Sequence, residues 1–302
     1  MLHVAVSGAG GLVGSALVSR LTAGGHRVSR IVRGGPSVED RIRWDPVSGE
    51  LDTKGLEGVD ALVHLAGENI ASGRWNTRRK RRIWSSRVDG TRGIATALAR
   101  MSDPPATLIN ASAIGYYGDR GDALLDESSP PGSGYLADLT RAWETAAEPA
   151  ERAGLRVVRL RIGVVLSRRG GALPRMALPF HLGLGGRVGH GRQYVSWISL
   201  TDLAAVIEYA LLQSGLRGAV NAVAPEPVTQ AELARTLGRV LRRPSLLPFP
   251  GWAVSLLLGE MGRELLLSST RILPRRLSDS GFDFSHRGIE EALRFELLGP
   301  SS

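Results

Sequence analysis

The sequence predicts an α/β fold, a doubly wound parallel sheet with helices on both faces and a smaller, mostly helical C-terminal lobe. Three observations predict it. Residues 2–6, 28–32, 61–65, 107–111 and 157–160 are short runs rich in β-branched residues with few charges, as strands buried on both faces should be. Longer helical patterns separate them, the order that crossover helices impose on parallel strands. After about residue 165 the texture changes: Gly170, Gly171, Gly183, Gly185, Gly186, Gly189 and Gly191, with Pro174 and Pro179, predict loops before helical spacing returns from Thr229.

The first strand runs straight into Ser7-Gly8-Ala9-Gly10-Gly11-Leu12-Val13-Gly14. A helix over 12–22 follows, with Val13, Leu17 and Leu21 at fourfold spacing and Gly24-Gly25 supplying the left-handed residue that ends it. Glycines at a strand-to-helix turn have a physical reading. Gly8 permits the tight turn, Gly11 lets backbone N–H groups approach a pyrophosphate, and Gly14 lets the helix pack on the strand. The helix N-terminus, at Leu12 and Val13, favours the negative charge. This is a Rossmann-type dinucleotide-binding unit.

The second strand ends at Val32-Arg33. NAD-binding units usually place a carboxylate there for the ribose 2′-OH, and none occurs here before Glu39. A guanidinium at Arg33 suits a 2′-phosphate bidentately, so the expected cofactor is NADP(H). The other reading of Arg33 is a solvated arginine in an arginine-rich chain. We divide the chain into a cofactor domain over 1–165, with returning segments near 195–225, and a substrate-side lobe over 166–302 that includes a helical part at 247–293.

Composition excludes several classes. A hydrophobic fraction of 43% is ample for a packed core, and the absence of cysteine removes disulfides, thiolate zinc sites and a cysteine nucleophile. No metal site is expected. The net charge of +9 and the run Arg78-Arg79-Lys80-Arg81-Arg82 invite a nucleic-acid reading. Only Lys54 and Lys80 are lysines, however, so the charge reflects a general arginine bias, and Ile83, Val88, Ile94 and Leu98 mark one helix with a solvated basic start. No nucleic-acid partner is expected. No apolar run approaches the roughly 18 residues needed to span a bilayer, and the chain enters strand-like sequence at once, so no membrane partner and a cytoplasmic location are expected.

The runs Leu65-Ala66-Gly67-Glu68-Asn69-Ile70, Ala113-Ile114-Gly115-Tyr116-Tyr117-Gly118-Asp119, Leu182-Gly183-Leu184-Gly185-Gly186 and Ala224-Pro225-Glu226-Pro227 resemble an atypical extended short-chain dehydrogenase/reductase. The resemblance is to the sugar-nucleotide epimerase-like subfamily, whose members carry a C-terminal domain of unknown function. It implies that Leu65 and Ala66, followed by Gly67, pass along the adenosine side of the cofactor. It also implies that Arg87, in a run matching N-V-x-G-T, faces the cofactor, although a helix-surface arginine remains an equal reading. Gly163 and Val165 would approach the nicotinamide.

The superfamily's proton relay is a Ser or Thr with Tyr-x-x-x-Lys, the lysine lowering a phenol pKa that is otherwise about 10. The matching run here is Tyr135-Leu136-Ala137-Asp138-Leu139, which has the tyrosine and lacks the lysine. Counting from Tyr117-Gly118 puts Ala113 at the hydroxyl position, and counting from Tyr116 puts Ser112 there. Ser112 and Tyr135 are therefore the candidate catalytic residues, with packing roles as the alternative. Two functional classes follow. One is an NADP(H)-dependent oxidoreductase or epimerase-like enzyme acting on a small polar or nucleotide-linked substrate between the lobes. The other is an NADP(H)-binding sensor that catalyses nothing. Extended members often pair through the helices matching 78–98 and 137–153, which implies a homodimer.

Overall fold

The computed structural model describes residues 1–34 and 40–299. Seven strands, β1 (His3–Ser7), β2 (Arg27–Arg33), β3 (Arg41–Trp44), β4 (Ala61–His64), β5 (Thr107–Ala113), β6 (Arg156–Ile162) and β7 (Gly218–Ala222), form the central sheet. Their order is β3-β2-β1-β4-β5-β6-β7, and every pairing is parallel.

The helices are α1 (Leu12–Ala23), α2 (Thr77–Ala99), α3 (Tyr135–Thr145), α4 (Glu148–Arg152), α5 (Leu173–His181), α6 (Leu200–Leu212), α7 (Gln230–Leu241), α8 (Gly251–Gly262), α9 (Arg275–Asp279) and α10 (Ile289–Leu298). Alternation along β1 assigns the two faces of the sheet. Val4 and Val6 pack with Leu17 and Leu21 of α1 and Val206 and Ile207 of α6. Ala5 points the other way, into a core shared with Ile94 and Leu98 of α2 and Ala150 of α4. Residues 197–222 thus return to complete the sheet and its helical cover. The smaller lobe closes on its own core, where Leu233 and Leu237 of α7 meet Ala292 and Leu293 of α10 around Trp197.

Three elements differ from expectation: β3, α5, and β7, whose residues were expected only as part of a returning segment near 195–225. β3 is absent from the five predicted runs because it has four residues, of which Arg41 and Arg43 point outward and only Ile42 and Trp44 are buried. α5 lies where loops were expected. Pro174 sits at the helix start, where no acceptor for its missing N–H is needed, Pro179 falls near the end, and Leu173, Ala177 and Phe180 supply a buried face. Among the described residues no helix is long and apolar enough to cross a membrane.

Candidate functional site

The strand order reverses between β1 and β4, where the chain leaves the sheet in opposite directions and opens a crevice beyond the strand ends. The glycine loop closes one side of it. Gly8 has φ 68°, and a Cβ there would lie 2.9 Å from Ala66 N and from the Leu65 carbonyl, so the β1 and β4 exits touch. A Cβ on Gly14 would lie 2.2 Å from Gly8 O, which is how closely α1 is pressed onto the turn. Above the loop there is room: a Cβ on Gly10 meets nothing within 4 Å, and one on Gly11 meets only Gly8 O at 3.2 Å.

The structure assigns the amides differently from the sequence reading. The Gly11 N–H donates to Gly8 O at 2.9 Å and closes the turn itself. The donors left for an anion are the first-turn amides of α1, at Leu12 and Val13, which have no intrahelical acceptor. No side chain caps this helix and no acidic residue occupies its first turn. A pyrophosphate fits this cradle.

Arg33 is the last residue of β2, exposed, and among the described residues its side chain has neither hydrogen bond nor ion pair. Val32 beside it is half-buried and faces Arg43 in register. Glu39 lies outside the described residues.

Beneath the crevice, the Ser7 hydroxyl accepts the Leu65 and Ala66 N–H groups at 3.1 and 3.4 Å and lies 2.6 Å from His64 Nδ1. Burial pushes the His64 pKa down to about 4. The neutral ring therefore accepts the hydroxyl proton on Nδ1, and among the described residues its Nε2 has no hydrogen-bond partner. A histidine with a depressed folded pKa stabilises the fold fully above its unfolded pKa of about 6.5 and loses that contribution as pH falls toward 4. Unfolding free energy should therefore drop by about 3 kcal/mol between those limits. His64→Gln should flatten that slope in denaturant titrations run at several pH values, and an unchanged slope would remove His64 as its source.

On the far side, Arg87 is half-buried, its Nη1 donating to Glu68 O at 2.9 Å. Its guanidinium lies over the Trp143 ring at 5.1 Å, and a Cβ on Gly67 would stand 3.5 Å from it. Arg87 braces the Leu65–Glu68 exit loop, and burial lowers its pKa. Gly163 leaves β6 so tightly that a Cβ would lie 2.8 Å from Ser196 O, and Val165 is half-buried in the core shared by Ala9, Val13 and Leu65. The sequence reading missed residues 167–171. A Cβ on Gly171 would lie 3.2 Å from the Leu12 side chain, so this loop, which carries the exposed Arg168 and Arg169, passes the start of α1. Only the fold brings that loop and Leu12 together.

The candidate catalytic residues fare differently. Ser112 is buried and donates to Glu144 Oε1 at 2.7 Å. Glu144 holds Arg161 through two bonds of 2.7 and 2.9 Å, Arg161 reaches the Tyr117 hydroxyl at 2.9 Å, and Tyr117 donates to Asn221 Oδ1 at 2.7 Å. Ser112 is thus tied into a buried network, and Ala113 follows it, half-buried, at the strand end. Tyr135 begins α3 and packs beside Leu65 and Ile162, but its hydroxyl donates to Lys80 O at 3.0 Å. Burial pushes its pKa up to about 12, against a lowering effect of Arg87 and with smaller raising effects of Glu260 and Glu264. Leu139, at the place of the missing lysine, is buried in the core. The arginine run is largely engaged internally: Arg79 donates to Asn69 O at 2.6 Å, Lys80 pairs with Glu260, and Arg82 pairs with Glu68.

Residues 4–222 match the NAD dependent epimerase/dehydratase family, and residues 249–296 match a domain of unknown function, DUF1731. The chain belongs to the NAD dependent epimerase/dehydratase family. It is 46% identical to the epimerase family protein Mb2239 of Mycobacterium bovis, over 98% of both chains. A crystal structure of human epimerase family protein SDR39U1 (isoform 2) with NADPH superposes with a TM-score of 0.90 at 36% identity, covering 99% of this chain and 100% of that one. The UDP-glucose 4-epimerase of Thermus thermophilus, in complex with NAD, shares the fold at a TM-score of 0.75 and 20% identity, over 99% of this chain and 98% of that one.

Proposed function

We propose that this family member holds NADP(H) in the β1/β4 crevice and works as a reductase on a small polar or nucleotide-linked carbonyl substrate. The observation that carries the cofactor choice is Arg33, exposed and unpartnered among the described residues at the end of β2, where a 2′-phosphate arrives. The NADPH in the human SDR39U1 crystal structure supports it. Gly8, Gly14 and the first-turn amides of Leu12 and Val13 would hold the pyrophosphate, and Leu65 to Gly67 would line the adenosine. A bound reduced nicotinamide supplies hydride.

Direction follows from the residues around it. Epimerisation begins by oxidising a substrate hydroxyl, which needs a base. A phenol raised to about 12, hydrogen-bonded to Lys80 O and lacking the lysine, is a poor one. Reduction needs only a proton for the new hydroxyl, which solvent can supply. The same observation favours a second reading, an NADP(H)-binding protein without turnover. NADPH consumption against carbonyl compounds and nucleotide sugars separates the two, since a tightly bound cofactor that is never consumed supports the second.

Arg33→Ala should weaken NADP(H) by about tenfold to a hundredfold and leave NAD(H) nearly unchanged, the contribution expected of a bidentate charged contact. Arg33→Asp should invert the preference by adding repulsion against the phosphate and an acceptor for the free ribose hydroxyl. Titration of both cofactors at one ionic strength checks this. Equal wild-type affinities would make Arg33 a surface charge.

Tyr135→Phe should change turnover by less than about tenfold, because the hydroxyl already has an acceptor in the protein. A loss of roughly a hundredfold with cofactor affinity spared would restore Tyr135 as the proton donor.

A further inference from the structure

Exposed apolar side chains concentrate on one region of the smaller lobe. Leu178 lies on α5 and Leu182 caps its C-terminal end, and Trp252 and Leu256 lie one turn apart on α8, with Leu182 66%, Trp252 71% and Leu256 67% exposed. Backbone pairing joins the segment that follows α5 to the segment that precedes α8. The Leu247 N–H donates to Gly185 O at 3.1 Å and the Phe249 N–H to Arg187 O at 2.7 Å. Leu246, 81% exposed, and Leu184 flank that pairing.

The charge on the same stretches has one sign. Residues 172–192 and 242–263 contain Arg175, Arg187, Arg192, Arg242, Arg243 and Arg263, all exposed. Their one acidic residue is Glu260, which is held by Lys80 at 2.5 Å. Arg175 and Arg187 bond to the backbone carbonyls of Ala71 and His190, and among the described residues neither pairs with a carboxylate.

We propose that this face docks peripherally on an anionic phospholipid bilayer. Leucine and tryptophan side chains would enter the boundary between headgroups and acyl chains, and the arginines would meet the lipid phosphates. A second copy fits poorly, because a twofold contact sets the patch against itself and opposes arginine to arginine without a carboxylate between them. A nucleic acid would find Trp252 and Phe249 for base stacking but would leave Leu178, Leu182, Leu246 and Leu256 without a partner. The sequence expectation of no membrane partner rested on the lack of a spanning run, and a peripheral face needs none. The inference is independent of the cofactor and of any turnover.

The test is sedimentation of the full chain with vesicles of phosphatidylcholine alone and of phosphatidylcholine with phosphatidylglycerol, at one ionic strength. Partition should be at least about tenfold stronger on the anionic vesicles and should fall with added salt. The double variant Trp252→Ser, Leu256→Ser should lose roughly tenfold or more of that partition, given the transfer energies of the two side chains, with its thermal midpoint unchanged. Arg242→Glu with Arg243→Glu should remove the preference for anionic lipid. Equal sedimentation with both vesicle types, or with neither, overturns the proposal. So does a wild-type dimer in sedimentation equilibrium that the Trp252→Ser, Leu256→Ser variant converts to monomer.

Discussion

Glu144→Ala should lower the unfolding free energy by about 3–5 kcal/mol, the cost of leaving a buried arginine without its carboxylate. Arg161 is buried in the middle of the network, and Glu144 is the one acidic side chain that the described residues bring to it. Its pKa is raised above the ordinary arginine value by Glu144, against an opposing effect of burial. Removing Glu144 also strips the acceptor from Ser112, so β5, β6 and α3 lose their shared polar anchor together. Urea denaturation of the purified variant measures the loss. The double variant Glu144→Leu, Arg161→Met should cost less than either single change, because no charge is then stranded. A single variant as stable as wild type would show that water reaches Arg161 and that the network carries little.

Gly11→Val should weaken NADP(H) by at least about a hundredfold while the protein stays folded. Its backbone is ordinary, with φ −78° and ψ 173°, and a Cβ meets only Gly8 O at 3.2 Å, so a small shift accommodates it. The rest of the valine side chain then extends into the space above the first turn of α1, holding phosphates away from the Leu12 and Val13 amides. The contrast is Gly14, where a Cβ would lie 2.2 Å from Gly8 O and the fold itself would fail. Isothermal titration with NADPH, alongside a thermal melt, separates lost binding from lost folding. Unchanged affinity in Gly11→Val would place the phosphates elsewhere.

The cofactor loop was legible because its information is local. A strand, a turn with glycines at 8, 11 and 14, and a helix occupy consecutive residues, so spacing alone states the geometry. The end of β2 was legible for the same reason, and Arg33 needed no distant partner to be noticed. Ser112 was not. Neighbouring residues on a strand point to opposite sides, so the choice between Ser112 and Ala113 depends on which face of β5 meets α3, and that is decided by packing. Glu144 and Arg161 are 17 residues apart on different elements, and their pairing appears only when α3 lies against β6. The helix α5 was hidden by its prolines and surrounding glycines, which report backbone freedom and not the buried face of Leu173, Ala177 and Phe180. Residues 170–171 come beside the Leu12 side chain only through the tertiary fold. Fold class and the dinucleotide loop could be read from the residues in order, because backbone stereochemistry and periodicity act over a few residues. Tertiary structure alone decided which polar side chains are buried as partners, since burial and hydrogen-bond competition depend on elements that meet from far apart in the chain.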